Sequence, residues 1–307
     1  MSPGDLFRQR LAAGPPLLLD AAMGTELARR GSRTALPLWS AWALFEAPEE
    51  VFAIHADAVS AGADVLTANT FRTHRRSLEK AGLGDGARVL TARAVALARR
   101  AARSAGREVF VAGSLSPLED CYRPDLAPEE SLLLAEHLEQ AQALADAGVD
   151  VILAETHNSV RELSAAIRAA RETGLPVVAS MVTDGQGHLL SGEPLDDAAR
   201  EIAFLAPDLI GVNCVPPALL SGDLELVARS LPGQPLGAWA NLGPPSDPEQ
   251  THFSEEVAPD TFAAFARGWL SVGARLIGGC CGTTAAHTAA LRAMLDARAQ
   301  AAGHPTE

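Results

Sequence analysis

The chain has 307 residues, a formal net charge of −13, and a composition that is 48% hydrophobic and 21% charged. That balance supports a large core and excludes general disorder, while the negative charge argues against nucleic acid or an anionic membrane surface as partner. Four cysteines, two of them adjacent, make no secreted disulfide framework; with no basic-then-apolar leader and no bilayer-length apolar run, a soluble, cytoplasmic protein with reduced thiols is expected.

In chain order, residues 4–13 read as a short helix and Leu17-Leu18-Leu19-Asp20 as a buried strand ending in an acid. Pro48 to Gly62 reads as a helix, opened by a proline and two acids and buried along Val51, Ile54, Ala58 and Ala61. Asp64–Asn69 is the second strand; Arg75–Ala105 carries helix, broken at Gly82-Leu83-Gly84. Val109–Gly113, Val149–Glu155, Pro176–Ser180, Asp208–Asn213, Leu236–Asn241 and Ala274–Ile277 are the remaining strands. The helices between and after them are Pro128–Ala147, Val160–Thr173, Leu195–Leu205, Pro217–Ser230, Pro259–Val272 and about Thr284–Ala299. Glycine closes several helices just before a strand, at Gly62, Gly148 and Gly273, which is the usual helix stop.

Near-continuous apolar strands joined by helices imply parallel strands covered on both faces. Eight such units in a chain of this length predict an α/β fold of one domain, a (β/α)8 TIM barrel over residues 1–307, with about 300–307 as a flexible tail. A doubly wound sheet is the alternative, but no glycine-rich nucleotide turn follows the first strand.

Polar residues gather where barrel enzymes work, at the C-terminal ends of strands: Asp20, Asn69-Thr70, Ser114, Glu155-Thr156, Asn213-Cys214, Asn241 and Cys280-Cys281. The last pair sits in Gly278-Gly279-Cys280-Cys281-Gly282-Thr283-Thr284. Neighbouring cysteines pair poorly with each other, and the flanking glycines permit backbone angles that aim both side chains into one cavity. With Cys214 they make a soft three-thiolate metal site with one tetrahedral position open. Among the histidines, His157 is the best candidate for a further ligand; His287 is weaker, and His55 and His137 belong to helices. Cys121, beside Tyr122, has no partner at metal-ligand spacing and reads as a free thiol. The helix carrying Arg88, Arg93, Arg99, Arg100 and Arg103 reads as a solvated outer face.

Four motifs together resemble the homocysteine S-methyltransferase family. They are Leu18-Leu19-Asp20-Ala21-Ala22-Met23-Gly24-Thr25-Glu26-Leu27, Ala61-Gly62-Ala63-Asp64 with Asn69-Thr70-Phe71, Gly211-Val212-Asn213-Cys214, and the cysteine-pair motif quoted above. The resemblance implies Zn²⁺ held by Cys214, Cys280 and Cys281, with the thiol of L-homocysteine in the open position and Asp20 and Glu155 on its α-ammonium group. Thr25, Ser114 and Asn213 complete the candidate substrate-binding set. It further implies methyl transfer from a small donor to homocysteine, giving methionine. The selenium analogue remains an alternative acceptor.

The chain departs from the family pattern at Ala21, at Glu155-Thr156-His157-Asn158, at Ala285-Ala286-His287 and at Arg72. Arg72 stands where betaine-using members have a tyrosine, which argues against betaine and against a tyrosine ligand. S-methylmethionine is therefore the favoured donor. Betaine, a corrinoid-protein donor and a non-catalytic zinc-binding barrel are the alternatives.

Overall fold

The eight apolar runs form eight parallel strands in the computed structural model, which describes residues 2–243 and 257–303. They are β1 (Leu17–Leu18), β2 (Val65–Ala68), β3 (Phe110–Leu115), β4 (Val151–His157), β5 (Val177–Met181), β6 (Leu209–Asn213), β7 (Leu236–Ala240) and β8 (Ala274–Gly279). Each pairs with its sequence neighbours, and β1 pairs with β8 through Leu17↔Leu276 and Leu18↔Ile277. The ring closes between β1 and β2, where Leu19 bridges Val65 and the Asp20 backbone N–H donates to Val65 O at 3.0 Å. This is the expected (β/α)8 barrel.

Period-two alternation sorts the strand residues into two apolar layers. Leu17, Leu19, Val65, Phe110, Val151, Leu153, Val178, Leu209, Trp239 and Leu276 fill the interior. The N-terminal helix, Pro3–Ala13, closes its floor by setting Phe7 edge-on against Phe110, ring centroids 5.3 Å apart. Leu18, Leu66, Val111, Ile152, Ile210 and Ile277 face outward onto the helices.

Those helices follow the expected order with shifted ends. The long segment after β2 resolves into Arg75–Glu79, a 3-10 turn at Gly84–Gly86, and Ala87–Ser104, so the break falls at the glycines. Four short pieces were not legible: the helices Gly24–Arg29 and Ala43–Glu46 and the 3-10 turns Trp39–Trp42 and Pro124–Leu126. They are too short to show a helical period. The last helix, Ala285–Gly303, runs past residue 300, and the rest of the expected tail lies outside the described residues.

The arginine-rich helix is not simply a solvated face. Arg99 forks onto the buried carboxylate of Asp150 at 2.8 and 2.9 Å, bracing the start of β4. Arg100 pairs with Glu49 and stacks on Phe52, 3.5 Å from the ring centroid, and Arg88 pairs with Asp146. No helix among the described residues is long and apolar enough to cross a membrane.

Candidate functional site

At the C-terminal mouth of the barrel, Cys214, Cys280 and Cys281 converge, their sulfurs all within 4.8 Å of one another. Cys214 follows β6; its backbone N–H donates to Trp239 O and Asn241 Nδ2 donates to its carbonyl. Cys280 and Cys281 follow β8, where Cys280 N donates to Ala240 O at 2.7 Å. The glycines have specific work in this turn. A Cβ on Gly278 would come within 2.6 Å of Leu19 Cβ, and Gly282 turns the chain at φ +84° while its N–H donates to Thr25 Oγ1.

A tetrahedral zinc–sulfur set with bonds of about 2.3 Å holds its sulfurs about 3.8 Å apart. The Cys214–Cys281 separation of 4.0 Å is close to that spacing, and the whole set, within 4.8 Å, reaches it with a contraction of at most about 1 Å. Contacts with the sulfurs of Cys280 and Cys281, then with the Tyr122 hydroxyl and the Asn241 amide, hold the Cys214 thiol well below the ordinary thiol range. The same sulfur contact with Cys214 pushes Cys280 and Cys281 up, and burial adds to it.

Asp20 and Glu155 line the same cavity as the cysteines. Asp20 accepts from the backbone N–H and the hydroxyl of Thr67, both at 2.9 Å. Glu155 accepts from Ser114 Oγ at 2.6 Å and from Trp239 Nε1 at 3.1 Å. All of these donors are neutral. His55 lies 4.0 Å from Asp20, but burial pushes its imidazole down to about 4, so it carries no charge at pH 7. Burial raises Asp20 to about 8 and Glu155 to about 7, with Glu155 further raising Asp20 and Cys214 further raising Glu155. Two carboxyl groups are thus desolvated and hydrogen-bonded with no charged partner among the described residues, an arrangement that a ligand ammonium group would complete.

The other three expected substrate contacts do not line the cavity. Ser114 orients Glu155, and Thr25 holds the turn after Cys281. Asn213 Oδ1 accepts from Thr156 N and Ser180 Oγ, and its Nδ2 donates to Thr156 Oγ1. That fastens Thr156 at φ +63° within the register shift between β4 and β5, so Glu155 is aimed by a bulge that Asn213 supports. His157, one step beyond the shift, turns away from the cysteines. It contacts Leu115 O at 3.2 Å and packs 5.7 Å from the His137 ring. His287 is occupied by Val257 O and Thr284. Neither histidine is brought to the sulfur cluster.

Several cavity residues were not read as site residues from the sequence. The loop after β3 brings Tyr122 Oη to 3.2 Å from Cys214 Sγ, so a tyrosine does stand beside the cluster although none follows β2. Cys121 also lines the cavity; burial pushes its thiol up, and it is not one of the clustered sulfurs. Asn158 Nδ2 holds this loop at Cys121 O, and Glu162 Oε1 holds it at Leu118 N. Trp39, Phe71 and Arg72 line the cavity as well, with Trp39 edge-on to Phe71 at 6.4 Å. Among the described residues four non-glycines have positive φ, and three of them, Trp39, Thr156 and Cys214, line this cavity. Such strain persists where surrounding structure over-determines it, as at a functional site. The single tyrosine and the tryptophan count were visible signals, but nothing local ties them to the mouth.

A profile described as homocysteine S-methyltransferase matches residues 17–295. The chain is 33% identical to a homocysteine S-methyltransferase of Escherichia coli, over 95% of this chain and 99% of that one. It is 32% identical to homocysteine S-methyltransferase YbgG of Bacillus subtilis, over 88% and 91%. The crystal structure of the metallated form of the E. coli homocysteine methyltransferase MmuM superposes with a TM-score of 0.81 at 31% identity, covering 94% of this chain and 99% of that one. Matched along nearly its whole barrel, the chain belongs to the homocysteine S-methyltransferase family.

Proposed function

We propose that this protein transfers a methyl group from a small onium donor, S-methylmethionine in the first instance, to the thiol of L-homocysteine, with zinc held by Cys214, Cys280 and Cys281. The observation that carries the reading is one cavity lined by three converging sulfurs and by two buried carboxyl groups that lack a cation. When bound there, zinc supplies Lewis-acid stabilisation of the homocysteine sulfur as a thiolate.

The protein's own residues do the rest. Asp20 and Glu155, fixed by Thr67, Ser114 and Trp239, bind and orient the α-ammonium group. A free thiol with a pKa of about 8.5 is only a few per cent thiolate at pH 7, so full ionisation gains about 30-fold, near 2 kcal/mol. Part of that is offset, because nucleophilicity falls with pKa. Positioning of sulfur, methyl carbon and leaving group in line must carry the larger share. Trp39, Phe71 and Met23 furnish the apolar and aromatic wall that an onium methyl group needs. A sulfonium donor leaves as a neutral thioether, a better leaving group than an amine, which favours S-methylmethionine. The aromatic pair Trp39–Phe71 is the specific feature that keeps betaine as a second reading. Three free thiols this close also suit a reducing, cytoplasmic compartment.

A donor panel offered with homocysteine and scored by methionine formation tests the reading. Turnover with S-methylmethionine exceeding that with betaine is expected. Betaine turnover without S-methylmethionine turnover would reverse the choice, turnover only with a corrinoid protein would replace both, and none with any donor would favour a non-catalytic zinc barrel.

The carboxyl groups make a second expectation. Ammonium binding favours their charged forms, which the free protein holds protonated below about pH 7 to 8. Homocysteine affinity should therefore weaken as pH falls from 8 to 6, and binding near pH 7 should release protons. Calorimetry in buffers of different ionisation enthalpy reads both; pH-independent binding without proton release would contradict the role of these groups.

A further inference from the structure

Arg72 is a buried cation that no carboxylate among the described residues balances. Its side chain is 8% exposed and lines the cavity, yet among the described residues no carboxylate pairs with it. One arm, Nη1, donates to Glu119 O at 2.9 Å, and the guanidinium lies over Phe71 at 5.4 Å from the ring centroid. Nε is buried without an acceptor among the described residues. The indole Nε1 of Trp39, which lines the same cavity, is likewise buried with no partner among the described residues. Trp39 is held in the left-handed region at φ +45°, packed so closely on Gly24 that a Cβ there would come within 2.5 Å of the indole ring. Two orphaned donors, one of them charged, lining one cavity are costly unless an anion completes them.

The anion must be small, and the aromatic faces beside it suit a cation. We infer that Arg72, assisted by Trp39 Nε1, binds the carboxylate of the methyl donor, while Trp39 and Phe71 face its onium group. This rests on the reading that an onium donor enters the same mouth as homocysteine. The acceptor's own carboxylate is the competing occupant, but it is one carbon from the ammonium group that Asp20 and Glu155 take. Arg72 instead belongs to the loop side of the cavity, where its Nη1 holds Glu119 O, two residues before Cys121. The site thus selects donors that carry a carboxylate.

The test is equilibrium binding of S-methylmethionine and of its methyl ester to the zinc-loaded full chain without homocysteine, by calorimetry. The two share an onium and an ammonium group and differ in the carboxylate charge. Wild-type protein should bind the acid at least tenfold more tightly than the ester, the scale of one charge-assisted hydrogen bond. Arg72→Gln should erase that preference by weakening the acid alone, and Arg72→Lys should restore part of it. Trp39→Phe, which keeps the ring and removes the donor, should cost less. Zinc content and homocysteine affinity should not move. Equal affinity of wild type for acid and ester, equal weakening of both by Arg72→Gln, or weakening of homocysteine instead would overturn the assignment. If S-methylmethionine fails to bind while homocysteine binds, the choice of donor has failed, and betaine against its methyl ester then decides the role of Arg72 by the same criterion.

Discussion

Cys280→Ser and Cys281→Ser proteins are expected to lose most of their zinc and to form methionine more than 100-fold more slowly, while melting close to the wild-type temperature. A change in groups that merely orient metal ligands costs roughly 10–100-fold, so removing a thiolate should exceed that. Serine preserves volume, but its hydroxyl stays protonated where a thiol would ionise, so the donor set loses charge as well as softness. The fold should persist because the barrel core lies below the mouth: both cysteines are half-buried at its rim, and Cys280 N keeps its bond to Ala240 O after the substitution. Cys121→Ser is the internal control, since Cys121 lines the cavity without joining the clustered sulfurs, and it should retain its zinc. Metal analysis with cobalt-substituted spectra makes the comparison. Full zinc occupancy with near-normal turnover in either rim variant would end the metal assignment.

Glu155→Gln should weaken homocysteine binding by about 1.5–3 kcal/mol, the range for a hydrogen bond to a charged group, and should at the same time stabilise the unliganded protein. The substitution can be accommodated. The amide oxygen can accept from Trp239 Nε1 while its NH₂ donates to Ser114 Oγ, which is free to reverse its role. The stability gain follows from linkage. The native state holds a proton on Glu155 up to about pH 7, whereas the unfolded chain has released it near pH 4. Across that window the native protein binds more protons, so the carboxyl group lowers stability as pH rises, and the full penalty is present above about pH 7. The melting-temperature difference between variant and wild type should therefore be small at pH 4 and widen toward pH 8, with Asp20→Asn behaving alike over a window reaching about pH 8. Zinc content should be unchanged. Loss of zinc, or a variant less stable than wild type at pH 8, would show that Glu155 serves the metal site or the fold.

The barrel was legible because its information is local and repeated: an apolar run, a glycine-stopped helix, another run. The cysteine site was legible for a related reason. Cys214, Cys280 and Cys281 follow strand ends, and a closed barrel brings all strand ends to one mouth; the same holds for Asp20 and Glu155. Tertiary structure alone decided which polar residues at those ends face the cavity. A one-residue irregularity in β4, held by Asn213 on Thr156, aims Glu155 at the mouth and sends His157 toward His137. A strand alternates its faces with every residue, so composition at a strand end does not reveal such a slip. It likewise decided that Asn213, Thr25 and Ser114 support the site from behind rather than line it. Arg72, Trp39, Cys121 and Tyr122 reach the cavity through loops fixed by distant partners, Arg72 at Glu119 O and Cys121 O at Asn158. Those contacts join residues some forty positions apart and carry no period along the chain, so only the closed barrel, by bringing the loops over one mouth, could specify them.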